Sequence, residues 1–379
     1  MDKVYIKAIA EEVRDKRILE KVSLDDVWRV AYGSEIEIDS KALDIIEKRR
    51  KDVIDEIIKN PKPAYGFNRG FGHNVDIPVP QQRYSELQNN LIRSHSCGVG
   101  DVTPIEVVRA AMFLRVISLS QGYSGVRPEV IKKLIEMLNK KITPVVPKFG
   151  SVGASGDLAP MSHIALAMIG EGDVFVGSDK DRKKANNVFT PISLEMKEGL
   201  ALNNGVQYST AFGILAYFKM IDILKSATVI TAISTQVMLG ADTCFNPEFH
   251  ELRPHRGALK VSKWVWELMK DSPIRKAHSD FDIDGEVQDP YNIRCAAQIL
   301  GTCYDLIEET RRALEVETNS VTDNPLIFPN TEDNKFINII SVGHFHGMPV
   351  AVKLYNLIQA IGIQHYKYEW ATIYCMRSC

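Results

Sequence analysis

Residues Ser151–Pro160 read "SVGASGDLAP": small side chains and glycines around one serine, closed by an acid and a proline. A phosphate-cradling loop needs GxxxxGK[ST], and no lysine follows Gly156. A nucleophile elbow needs GxSxG, and Gly153 to Gly156 is one residue short of it. A third reading makes the backbone a reagent. The Gly156 amide nitrogen attacks the Ala154 carbonyl, a five-membered ring closes with loss of water, and dehydration of Ser155 leaves an exocyclic methylidene. Glycine lacks a Cβ, so its nitrogen can approach closely at little conformational cost. Serine brings the leaving hydroxyl, and alanine is small enough not to block closure. The product is a strong electrophile that no ordinary side chain supplies. Gly/Ser turns are common, so the tripeptide alone favours a plain turn, and the choice rests on the rest of the chain.

The chain has 379 residues, 45% hydrophobic and 25% charged, enough for two domains or one large one. A formal net charge of −2 gives no electrostatic case for nucleic acid or an anionic membrane. Cysteines 97, 244, 295, 303, 375 and 379 form no CxxC pair and no zinc spacing, which points to a reduced cytoplasmic protein without a metal. The N-terminal residues offer no apolar stretch suited to a signal peptide. The apolar region from Tyr208 to Ala241 is interrupted by Lys219, Asp222 and Lys225. Its uncharged pieces fall short of the roughly 20 residues a bilayer requires, so it reads as a buried helix. Asp280, Asp282, Asp284 and Gly285 imitate an EF-hand start, but the twelfth position is Tyr291 rather than glutamate, so a solvated loop is expected.

Helical periodicity dominates. A helix opening at Thr103 shows a capping box with Glu106, Pro104 at its first position and Gly122 as its stop. Pro128 to Lys140 places Val130, Leu134 and Leu138 on one face. Asn292 to Thr318 reads as a long helix, and another begins over Met348 to Ala360. Asp173 to Gly177 is the best strand, Ser178 to Asn187 a polar surface loop, and any sheet is small. The expected fold is mainly α: a mixed N-terminal domain over 1–220 carrying the glycine-rich loop, then a long-helix bundle over 221–379.

Seven motifs occur in one order: "AYGFNRGFG" (Ala64 to Gly72), "LIRSHSCGVG" (Leu91 to Gly100), "PVVPKFGSVGASGDLAPMSH" (Pro144 to His163), "KEGLALNNGVQ" (Lys197 to Gln207), "VQDPYNIRC" (Val287 to Cys295), "ETNSVTDNPLIF" (Glu317 to Phe328) and "HFHG" (His344 to Gly347). Together they resemble the histidine and aromatic amino acid ammonia-lyase family, from about Ala10 to Leu357. The resemblance implies a fumarase/aspartase-like architecture. It also implies a 4-methylidene-imidazole-5-one group formed autocatalytically from Ala154, Ser155 and Gly156, with no external cofactor. Tyr65 matches the family's catalytic tyrosine, a base whose ordinary pKa near 10 must be lowered. Arg294 matches the arginine that grips the substrate carboxylate, a task suited to a bidentate fork. Gln288 and Tyr291 match active-site positions, Asn204 the asparagine beside the prosthetic group, and Phe345 a pocket-lining aromatic.

His95, after Ser94, matches the position where the family reads the substrate side chain, and the Ser-His pair resembles the histidine-directed members. The implied reaction converts L-histidine to trans-urocanate and ammonia, in a homotetramer with shared active sites. Histidine also hydrogen-bonds a phenol, so a tyrosine ammonia-lyase or tyrosine 2,3-aminomutase stays open, as does a non-catalytic truncated member. Three departures stand out. Arg69 replaces a small hydroxyl residue, and His344 replaces an asparagine. Beyond about Ile363 the family pattern fades, so a partial bundle lacking a C-terminal region and its active-site glutamate is expected.

Overall fold

The structure, a computed structural model, describes residues 3–9, 17–277 and 288–377, with side chains as far as 364. The aspartate run at Asp280 to Gly285 lies outside the described residues. The chain packs as two units: Met1–Ile214 with Leu314–Ala351, and Leu215–Ala313 with Val352–Cys379. The first is therefore discontinuous in sequence, whereas the expected division at 220 is contiguous.

In the first unit β1 (Val4–Ile6), α1 (Leu24–Ala31), β2 (Ile36–Ile38) and α2 (Ser40–Lys59) lead to α3 (Tyr84–His95), β3 (Val99–Val102) and α4 (Ile105–Leu119). Next come α5 (Pro128–Asn139), β4 (Ile142–Pro144), β5 (Pro147–Phe149), α6 (Leu158–Met168), β6 (Asp173–Val176), β7 (Ser178–Lys184) and α7 (Glu198–Asn203). The sheets are as small as expected: β1 pairs with β2, β3 with β5, and β6 lies between β4 and β7. Helix α4 is buried on every side from Val107 to Leu119, as a helix with apolar residues all round must be. Helix α5 buries Val130, Leu134 and Leu138 as the periodicity predicts.

Two local expectations are corrected. Thr103 does not cap α4, whose N-terminal flanking residue is Pro104 without a side-chain hydrogen bond. The Thr103 hydroxyl is instead committed to the Tyr208 hydroxyl at 2.7 Å. The run "SDKDRKK" is a strand, β7, antiparallel to β6. Its polar residues conceal it because it is an exposed edge, tied to Asp173 through Arg182 and Lys184 at 2.6 Å each.

Helix α8 (Gln207–Val237) starts in the first unit and continues into the second. It is not the wholly buried helix expected: Ile223, Val229, Ile230, Ile233 and Val237 are exposed. Then follow α9 (Pro247–His250), α10 (Arg256–Met269), α11 (Pro273–Ala277), α12 (Tyr291–Arg294) and α13 (Ala296–Thr318). The long helix expected from Asn292 is thus broken at Cys295. The second unit's core joins Leu224 of α8, Val261 and Val265 of α10 and Leu300 and Ile307 of α13. Leu357 and Ala360 of α14 (Met348–Arg377) complete it. Strands β8 (Leu326–Pro329) and β9 (Phe336–Ile340) form a hairpin in the first unit. Among the described residues no helix is long and apolar enough to cross a membrane.

Candidate active site

The stretch from Ser151 to Pro160 turns from the end of β5 into the first residues of α6 and is clamped from below. Asp157 sits at the N-terminus of α6, yet its side chain makes no capping bond there. One carboxylate oxygen accepts from Ser151 Oγ and Ser209 Oγ, both at 2.6 Å. The other accepts from the Ser209 amide at 2.8 Å, and the Asp157 amide donates to the Gly205 carbonyl at 2.6 Å. Burial pushes the Asp157 pKa up, opposed by the hydrogen bonds from Ser151 and Ser209 and by Arg115. Arg115 is fully buried, and desolvation brings it down to about 10. Its Nη1 donates to the Ala201 carbonyl at 2.9 Å.

Above this clamp Ala154 and Ser155 are exposed and Gly156 is buried. Gly156 has φ +85°, and a Cβ there would lie 2.5 Å from the Gly205 carbonyl oxygen. Only glycine fits. Its amide turns inward to the Gly153 carbonyl at 3.4 Å. Asn204 is buried and donates from Nδ2 to the Ser155 carbonyl at 3.1 Å, while its Oδ1 has no hydrogen-bond partner. The Gly347 amide donates to the Gly153 carbonyl at 2.8 Å, which brings the Phe345 segment to the turn. These residues fit a cyclised Ala154-Ser155-Gly156: an exposed turn closed by a glycine that admits no Cβ, a clamped Asp157 beside it, and an asparagine bonded to its carbonyl whose own amide oxygen is buried and unpartnered.

Tyr65 is half-buried, edge-on to Phe71 with ring centroids 5.8 Å apart, and its hydroxyl accepts from the Gly72 amide at 3.5 Å. Arg69 turns back within that loop to the Asp76 carbonyl at 2.9 Å. His95 closes α3. Its Nδ1 lies 2.9 Å from the Leu91 carbonyl and 3.0 Å from Ser94 Oγ. A carbonyl oxygen only accepts, so Nδ1 carries the hydrogen and Nε2 is the nitrogen with a free lone pair in the neutral ring.

Gln288, Tyr291 and Arg294 belong to the second unit. Gln288 and Tyr291 are exposed. The Arg294 guanidinium lies 4.9 Å from the Tyr291 ring centroid, and its Nε is buried without a hydrogen-bond partner. Arg294 lines a cavity of about 480 Å³ with His250, Arg253 and His255. The structure thus brings Ala154, Ser155, Gly156, Asn204 and the Phe345 segment together. Tyr65 and His95 lie in the same unit on neighbouring elements. Among the described residues no cluster of His, Cys, Asp or Glu is placed to hold a metal, and Cys97, Cys244, Cys295 and Cys303 form no disulfide.

Sequence reading missed the supporting charges. Lys197, in a left-handed conformation (φ +72°), donates from Nζ to Asp323 at 2.6 Å, with both side chains fully buried. Ser124 donates to the other Asp323 oxygen at 2.8 Å. Burial lowers the Lys197 pKa, and Asp323 opposes this. The signal was a charge in each of two motifs that also carry site residues or small and apolar ones, Lys197 in "KEGLALNNG" and Asp323 in "TDNPLIF".

Over residues 22–364 the chain matches the family described as aromatic amino acid lyase, and it belongs to that family. It is 41% identical over 336 residues to a histidine ammonia-lyase of Bartonella tribocorum, covering 87% of this chain and 64% of that relative. A solved phenylalanine aminomutase from Pantoea agglomerans superposes with a TM-score of 0.84 at 29% identity, covering 95% of this chain and 70% of that one. A solved histidine ammonia-lyase from Trypanosoma cruzi gives 0.81 at 32% identity, covering 96% and 66%. The mainly α fold is therefore the helical fold of these enzymes. The chain spans about 64% of the length of the curated relatives it matches.

Proposed function

We propose that the protein is a histidine ammonia-lyase, releasing ammonia from L-histidine to give trans-urocanate. The observation that carries the reading is the exposed Ala154-Ser155 turn closed by a glycine that admits no Cβ, with Asn204 bonded to its carbonyl. The 4-methylidene-imidazole-5-one formed from Ala154, Ser155 and Gly156 supplies the electrophile that makes the amine a leaving group. Arg294 grips the substrate carboxylate as a bidentate donor. His95 reads the imidazole, its Nε2 accepting the substrate N–H. Tyr65, acting as a phenolate, would take the β-proton at its oxygen while the Cβ–H electrons form the Cα–Cβ double bond and the Cα–N electrons leave with the amine. Phe345 packs against the substrate ring, and Gln288 and Tyr291 complete the pocket wall. The enzyme is a cytoplasmic homotetramer whose subunits share active sites, with a small amino acid as substrate and neither nucleic acid nor membrane as partner.

A second reading is a tyrosine ammonia-lyase or tyrosine 2,3-aminomutase on the same group. It is supported by the aminomutase-like fold and by a His95 Nε2 that accepts equally from a phenol. Incubating the purified chain with L-histidine, L-tyrosine and L-phenylalanine separates them. Urocanate from histidine supports the first reading, and an acrylate or β-amino acid from tyrosine supports the second. No product from any of them identifies a non-catalytic member.

A further inference from the structure

One fully buried amide has no part in the proposed chemistry. Gln88 lies on α3, the helix that ends at His95, and is 0% exposed. Its Nε2 donates to the carbonyl of Gly66, the residue after Tyr65, at 3.0 Å. Its Oε1 accepts from the amide of Leu200, in α7, at 3.2 Å. Helix α7 runs directly into Asn204. The first amides of a helix have no partner within it. The residue before α7, Lys197, makes no side-chain cap, since an ammonium offers no acceptor to a backbone N–H. Gln88 therefore caps α7 from another helix. The opposite amide orientation would set N–H against N–H and oxygen against oxygen, so the side chain has one satisfied pose.

The space around the amide is closed. A Cβ on Gly199 would lie 2.7 Å from the Gln88 backbone carbonyl oxygen and 3.0 Å from its Oε1, and a Cβ on Gly66 would lie 2.7 Å from Leu200 Cδ2. The Gly66 carbonyl also accepts from the Lys197 amide at 3.0 Å, so the Tyr65 loop keeps one tether if Gln88 is replaced.

We propose that Gln88 is a positioning residue whose single side-chain amide holds the loop of Tyr65, the helix of His95 and the helix leading to Asn204 in one frame. The proposal rests on the roles given above to those three residues. Removing the amide leaves a folded protein in which the base, the side-chain reader and the asparagine no longer share a fixed spacing.

The test compares Gln88→Met and Gln88→Glu with the unsubstituted 379-residue chain. Hydrogen exchange of the Ala64 to Gly72 and Glu198 to Asn204 segments is measured beside turnover of L-histidine across pH. Gln88→Met should keep the two-water mass loss at Ser155 and a KM within about threefold, but lose kcat by about ten- to a hundredfold, the effect of one buried hydrogen-bond partner. Both segments should exchange at least about tenfold faster, with α4 unchanged. In Gln88→Glu the protonated acid donates to Gly66 as the amide did, and the carboxylate repels it. Relative to the unsubstituted chain at the same pH, its kcat and protection should recover as pH falls and be lost as pH rises.

Wild-type exchange in both variants would overturn the proposal. So would loosened exchange with kcat and pH profile unchanged, or a Gln88→Glu variant indifferent to pH. Should Gln88→Met not fold, the pH response of Gln88→Glu decides. Should the unsubstituted chain turn over no amino acid, the proposed function fails by itself, and the pH-reversible protection of Ala64 to Gly72 still decides the role of Gln88.

Discussion

The side-chain amide of Asn204 donates to the carbonyl oxygen of Ser155 at 3.1 Å, joining the end of α7 to a turn 49 residues earlier. The bond holds the serine peptide from the side, while the Asp157 clamp holds it from beneath. Asn204→Ala removes the donor and leaves the Ser155 carbonyl without this partner. The expected result is a kcat on L-histidine lowered at least about tenfold. The peptide containing Ser155 should still be two waters lighter than its sequence, because the clamp by Ser151, Ser209 and Gly205 is untouched. Steady-state kinetics with peptide mass measurement checks both.

The buried pair of Lys197 and Asp323 is a second support, and it is sensitive to removal of one member alone. Lys197→Met leaves an uncompensated buried carboxylate and should destabilise the fold by about 3–5 kcal/mol. Lys197→Met with Asp323→Leu removes both charges and should lose clearly less. Urea unfolding of the two variants measures the difference, and equal losses would show that the charge pairing is not what matters there.

A pH dependence follows from His163. Its Nε2 accepts the Gly98 amide at 3.1 Å, which requires a neutral ring, and burial holds its pKa below the usual 6.5. The unfolded chain takes up this proton more readily than the folded one. The contribution of His163 is therefore full above pH about 6.5 and is lost as pH falls through the depressed folded value. The urea midpoint should drop between pH 7 and pH 5, and His163→Gln should flatten that drop.

Much of the site was legible because its residues sit in short motifs whose chemistry is local. Gly156 is an example, since a positive φ and a close neighbour both demand glycine. What was hidden depends on contacts distant in sequence. Thr103 and Glu106 have the spacing of a capping box, but Tyr208, 105 residues away, claims the hydroxyl. The strand β7 carries no apolar alternation because it is an exposed edge. Gln88 is hidden in the same way, because its partners Gly66 and Leu200 lie 22 and 112 residues away. Residues 314–351 return to the first unit, and no break in composition marks that return.

Selectivity should lie at His95. With Nδ1 committed to the Leu91 carbonyl, Nε2 is the nitrogen left for the substrate under the proposed function. His95→Leu should lower kcat/KM for L-histidine by about ten- to a hundredfold and raise L-phenylalanine relative to it. Competition assays with the two amino acids measure the ratio, and an unchanged ratio would remove His95 from substrate reading.

The central claim is that the Ala154-Ser155-Gly156 backbone becomes the reagent, and the mass of the peptide containing Ser155 tests it most directly. The account predicts a peptide two water molecules lighter than its sequence, with the loss abolished in Ser155→Ala. A peptide of unmodified mass from the natively folded, unsubstituted chain would contradict it.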